Sequence, residues 1–160
     1  MQSVWLLALL LPIAGLISFS VLGRRARLVE IERYPFPPYL SNRLAEAYPQ
    51  LSAEDRELVL RGLREFFAVS VMAGRRRIAM PSRAVDAAWH EFILSTRAYQ
   101  DFCRKVLGRF LHHTPAEAMA SATHAQEGIR RAWRLACRRE GISAGAPARL
   151  PLLFALDARL

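Results

Sequence analysis

The first 23 residues, MQSVWLLALLLPIAGLISFSVLG, contain no charged side chain. That absence excludes a solvated surface helix, which would need a polar face. At a rise of about 1.5 Å per residue, about twenty apolar residues cross the roughly 30 Å hydrocarbon layer of a bilayer. Pro12 and Gly15 are tolerable there, because in lipid the backbone bonds to itself. A cleaved signal peptide would carry basic residues ahead of a shorter apolar run. None precede it here; Arg24, Arg25 and Arg27 follow it instead. The pattern predicts an uncleaved transmembrane anchor over 1–23, with the chain behind it held in the cytoplasm by its flanking positive charge.

Lysine, cysteine and acidic residues are also scarce. The chain has 23 basic against 14 acidic residues, a formal net charge of +9, and Lys105 is its only lysine. Arginine in such excess reflects a GC-rich genome more simply than selection for phosphate binding. The basic residues are spread along the chain with no aromatic residues interleaved, so nucleic acid is not the expected partner. Arg75, Arg76 and Arg77 form a second local cluster. With Arg24, Arg25 and Arg27 they offer a surface to anionic lipid or an acidic protein partner, at about 1 kcal/mol per residue near a bilayer. The two cysteines, Cys103 and Cys137, fall on apolar helical positions, and no CxxC pair exists. Thiolate zinc ribbons are thereby excluded, and both cysteines read as small reduced hydrophobes of the core.

Strand alternation and internal repeats are missing too, which leaves an all-α reading: a transmembrane helix followed by a small helical bundle. Pro35, Pro37 and Pro38 make residues 24–39 a basic, proline-rich linker, extended and semi-rigid, since proline fixes φ and removes a donor. Tyr34, Phe36 and Tyr39 are placed to pack from it onto the domain. The helical domain spans 40–144. It opens with a short helix, SNRLAEAY, ended by Pro49. Ser52 then caps a long helix that stops at Gly74 and whose apolar second half, FFAVSVMA, suggests the central element. Ser82 caps the next helix, with Val85, Ala88, Trp89, Phe92 and Ile93 at i, i+3, i+4, i+7 and i+8. The same phase resumes at Tyr99 and runs to Gly108, with continuity at Ser95-Thr96 left open. Thr114, Pro115 and Glu117 make a capping box for a last helix ending near Gly141. Its inward residues are read as Met119, Ala122, Gln126, Ile129, Trp133 and Ala136 or Cys137, with Arg130, Arg131, Arg134, Arg138 and Arg139 mostly outward. Residues 145–160 form a tail ending in a short apolar turn that docks.

Within VDAAWHEFI, Asp86 and His90 stand one turn apart on one flank of the apolar stripe, a spacing at which side chains meet. Two chemistries follow. The carboxylate can accept a ring N–H, making a structural polar pair that fixes the imidazole. Alternatively both bind one cation, with His112 or His113 of the LHHTP segment as further ligands. Zinc or iron would take such a set, at about 2 Å per ligand. DxxxH alone does not define a metal site, as HExxH would. No nucleophile setting accompanies it, so no catalytic residue is assigned.

The stretch PSRAVDAAWHEFILSTRAYQDFCRKVLGRFLHHTP, Pro81 to Pro115, resembles a block in uncharacterised bacterial membrane-anchored proteins and in the N-terminal region of plant glycine-rich domain-containing proteins. The matching features are Pro81-Ser82, Val85-Asp86, Trp89-His90, Tyr99, Phe102-Cys103 and His113-x-Pro115. This chain has only 8 glycines and no glycine-rich tail, so the roles of the plant proteins do not carry over. The resemblance supports the helical fold and implies no activity. The expected protein is thus a single-pass component of the bacterial inner membrane with a cytoplasmic helical module. It offers a basic surface to an unidentified protein or to anionic lipid, without catalysis and without a cofactor. The alternative is a metal-dependent protein holding zinc or iron on Asp86, His90 and His112 or His113.

Overall fold

A computed structural model describes residues 21–114 and 122–160, and these form helices joined by short turns with no strand among them. Helix α1 covers residues 21–33. The linker expected over 24–39 is therefore helical in its first part, and Ile31 is buried in the core. A proline restricts only the residue just before it, so Pro35 stops α1 near Arg33 without disturbing the turns upstream. Extended backbone is confined to residues 34–37. Pro38 then occupies the first turn of α2 (Pro38–Ala47), where a missing N–H costs nothing. Among the described residues no helix is long and apolar enough to cross a membrane. The expected anchor over 1–23 lies outside them, apart from its last three residues at the start of α1.

Helix α3 (Ala53–Ala73) is the central element, as its composition implies. Ser52 and Asp55 close a capping box at its start, with Asp55 N–H donating to Ser52 Oγ over 3.1 Å and Ser52 N–H to Asp55 over 2.9 Å. Gly74 ends it at a positive φ of 64°, a conformation that costs glycine nothing. Phe66 to Val71 are buried on all sides. Phe67 lies at the centre of an aromatic cluster, with ring centroids 4.7 Å from Phe102, 6.2 Å from Trp89 and 6.4 Å from both Phe36 and Phe92.

Helix α4 (Arg83–Leu94) starts at Ser82, whose hydroxyl accepts from Val85 N–H at 3.2 Å. The chain breaks at Ser95 (ψ 65°) before α5 (Thr96–Phe102), and a single π turn, Cys103–Leu107, runs on to Gly108. Helix α6 (Ala122–Arg139) leads through Gly141 to the tail, where α7 (Leu152–Ala155) and a 3-10 turn (Leu156–Ala158) complete the chain. The capping box at Thr114, Pro115 and Glu117, and the inward position expected for Met119, lie outside the described residues except for Thr114 itself.

One inward position of α6 differs from expectation. Gln126 is exposed; α6 turns Ala136 and Cys137 inward as expected, and Gly128, Ala132 and Leu135 with them. A Cβ on Gly128 would stand 3.0 Å from both the Cβ and the amide nitrogen of Ala79, so close approach of backbones orients this helix more than hydrophobicity does. The apolar turn of the tail docks as expected, with Leu153 and Leu156 buried in the common core. Asp157 caps α4 from across the chain, accepting Arg83 N–H at 2.7 Å and the Ser82 hydroxyl. The domain therefore reaches beyond residue 144 to the 3-10 turn.

Gly62 lies where α3, α4 and the tail meet. A Cβ there would stand 2.6 Å from Leu156 Cδ1 and 2.7 Å from Val85 Cγ2. In an exposed helix Gly→Ala gains about 1 kcal/mol. Here Gly62→Ala is expected to destabilise by roughly 1–3 kcal/mol through overpacking, read as a lower urea midpoint at unchanged slope. A stabilised variant would contradict the close packing of the tail.

Candidate functional site

Asp86 enters from the first turn of α4 and His90 follows one turn later, both on the flank that the helical spacing specifies. The third member comes from the segment beyond Gly108. His113 Nε2 stands 2.9 Å from Asp86 Oδ1, while His90 Nδ1 is 3.5 Å from Asp86 Oδ2. The two imidazole centroids are 4.1 Å apart. One potential ligand atom from each of the three residues lies within 4.8 Å of the others. The nearer imidazole partner of Asp86 is thus His113 rather than His90. His112 is not gathered with them: it is exposed, with its ring against Phe110 at 4.8 Å.

Burial grades across the site. His113 retains 12% side-chain exposure, Asp86 35% and His90 49%. One face is therefore wall and the other opens to solvent. The wall is Trp89, whose ring meets that of His113 edge-on at 4.6 Å. Trp89 Nε1–H donates to Tyr99 Oη over 3.1 Å, and the Tyr99 hydroxyl donates in turn to the Leu111 carbonyl. Burial raises the Tyr99 hydroxyl far above the ordinary phenol range, so it stays a donor. This chain of bonds ties the segment carrying His113 to α4 and α5. The π turn at Cys103–Leu107 supplies the extra residue that brings the chain to Gly108, at φ 71°, where it reverses. Trp89 and Tyr99 read as apolar positions in the sequence, and nothing in their spacing announces a shared hydrogen bond.

Asp86 is notable for what faces it. Among the described residues its ion-pair partners are the two imidazoles, not a guanidinium, in a chain with 23 basic residues. The arginines gather elsewhere. Arg24 of α1 places its guanidinium 3.7 Å from the Cβ position of Gly74, directly beside Arg75, Arg76 and Arg77. All four of these arginines are exposed, as are Arg25 and Arg27. Arg27 lies where a side chain on Gly108 would project. Arg24 of the first cluster thus adjoins the turn that leads into the second, some fifty residues further along the sequence.

A family model described as UCP032817-like matches residues 25–160. The chain belongs to the UCP032817-like family. No curated protein and no solved structure matches it. The UCP032817-like match covers α1 from Arg25, the Asp86–His90–His113 cluster and the docked tail.

This UCP032817-like domain also holds an ion cluster that helical patterning does not reveal. Arg139, expected to face outward, instead lies between α1 and α3. Its Nε donates to Glu65 Oε2 over 2.6 Å and its Nη2 pairs with Glu32. Glu140 next to it accepts from Leu152 N–H at 2.6 Å and pairs with Arg149. Burial, and then the Glu140 carboxylate, push the Glu65 carboxyl up to about 7; the bonded Arg139 guanidinium acts in the opposite direction. A wheel places Arg139 on the polar side of α6, and only the approach of α1 and α3 converts that side into an interface.

Proposed function

We propose that this chain is a membrane-tethered helical interaction module, not an enzyme, whose basic end rests on anionic head groups. In this reading residues 1–23 span the bacterial inner membrane once and the domain lies on the cytoplasmic side. The observation that carries it is the meeting of Arg24 with the turn at Gly74. It places Arg75, Arg76 and Arg77 beside the point where the uncharged leader joins α1. A domain hung from that leader would turn this end toward the bilayer, where arginine near an anionic leaflet contributes about 1 kcal/mol each. Charge on the far end of the bundle would gain nothing, because the attraction fades within about 10 Å at 0.1 M salt.

Limited trypsin digestion of the full chain in proteoliposomes tests this, since Arg75, Arg76 and Arg77 are exposed cleavage sites. In phosphatidylglycerol vesicles cleavage there is expected to be about tenfold slower than in phosphatidylcholine vesicles. Protection should vanish in 1 M salt, where screening shortens to about 3 Å. Equal cleavage in both lipids would reject the lipid-facing orientation and favour a protein partner for the basic end.

A further inference from the structure

We propose that Asp86, His90 and His113 form a binding site for a divalent transition metal, with Zn2+ the ion that suits them best. Two imidazole nitrogens and one carboxylate oxygen are the mixed, borderline-soft set that zinc accepts, and three protein ligands leave one coordination position open. Around a tetrahedral ion with bonds of about 2 Å, neighbouring ligand atoms are about 3.3 Å apart. Each imidazole faces its own oxygen of the Asp86 carboxylate, His113 Nε2 at 2.9 Å from Oδ1 and His90 Nδ1 at 3.5 Å from Oδ2, so an ion between the rings can be met by either oxygen. All three donors already lie within 4.8 Å of one another, and half-exposed His90 can close the remaining gap by side-chain rotation alone.

The charge pattern argues in the same direction. A carboxylate that needed only neutralisation would be served by any of the chain's many guanidiniums, yet Asp86 pairs with two imidazoles. Imidazole is the side chain that binds a metal as a neutral donor, so a cation added here meets one negative charge and no fixed positive neighbour among the ion pairs described. The supporting structure is rigid where a ligand needs it. His113 is held against Trp89, and its segment is tied through Tyr99 to Leu111. Metal sites depend on such orienting contacts around their ligands. The open face lies on the His90 side, where solvent or an exogenous ligand would take the fourth position.

Zn2+ titration of the full chain in mild detergent, purified without a histidine tag, tests the site by calorimetry, with Co2+ as an optical probe. One Zn2+ per chain is expected. His90→Ala and His113→Ala should each weaken it at least about tenfold, and His112→Ala should leave it unchanged. Because His90 is half exposed, its variant is expected to fold, which metal-free circular dichroism verifies. A folded wild-type chain that takes up no Zn2+ would overturn the proposal. So would binding undiminished in His90→Ala, or diminished equally in His112→Ala. None of these outcomes bears on the lipid-facing basic end, which shares no residue with the site.

Discussion

Phe67→Ala is expected to cost roughly 3–5 kcal/mol of folding stability, a large share of the 5–15 kcal/mol typical of a domain. Phe67 is fully buried, and its ring packs on Phe36, Phe66, Trp89, Phe92 and Phe102. These come from the segment before α2 and from α3, α4 and α5, so the cavity left by truncation borders four separately placed pieces of chain. Collapse into it would need all of them to move together, and that is the condition under which large-to-small changes cost most. Urea unfolding should show a lowered midpoint with the slope kept. Leu94→Ala is the control: Leu94 is 71% exposed, and its loss should change stability by no more than about 0.5 kcal/mol. Similar effects from the two variants would place the core elsewhere.

Arg139→Met should cost roughly 2–4 kcal/mol above neutral pH, where Glu65 ionises in a partly buried place with no partner. The side chains of Arg139 and Glu65 are 18% and 21% exposed, so solvent relieves only part of the penalty. The pH dependence identifies the cause. Burial and Glu140 hold the folded-state Glu65 carboxyl up toward 7, against an ordinary 4.5, and removing Arg139 takes away the one contact that opposes them. Between pH about 4.5 and 7 both folded chains keep a Glu65 proton that their unfolded chains release, and above 7 the variant keeps it longer than the wild type, so the variant's stability goes on falling as pH rises. The deficit relative to wild type should therefore be small below pH about 7 and grow as pH rises above it. Glu65→Gln in the same background should recover most of it, the signature of two coupled sites. A deficit independent of pH would assign the loss to the arginine's packing instead of to the stranded carboxylate.

Much of the helical framework was legible before folding. Ser52 and Ser82 as caps, Gly74 and Gly108 as terminators, and the crowded apolar half of α3 all follow from interactions within a few residues. The candidate site was half legible. Asp86 and His90 share a helix, and the 3.6-residue period brings them together whatever surrounds them. The choice between His112 and His113 depends on the π turn, the reversal at Gly108 and the Tyr99 bond to Leu111, and none of these has a period that a sequence displays.

The errors share one origin. Residues 24–33 seemed to be linker because three prolines follow, but a proline acts on its immediate predecessor and Ile31 had a core to enter. Gln126 reads as inward because its spacing falls in line with Ala122, Ile129 and Trp133, whereas it is Gly128 that stands against Ala79. Chain-local chemistry therefore determined where helices begin, end and show an apolar stripe, since those forces act over one or two turns. Only the assembled tertiary structure decided which histidine joins Asp86, which arginine is enclosed and how Arg24 comes to adjoin the turn that leads into the second arginine cluster. Those outcomes arise from contacts between segments distant along the chain, where position is settled by which backbones can approach closely enough to exclude water.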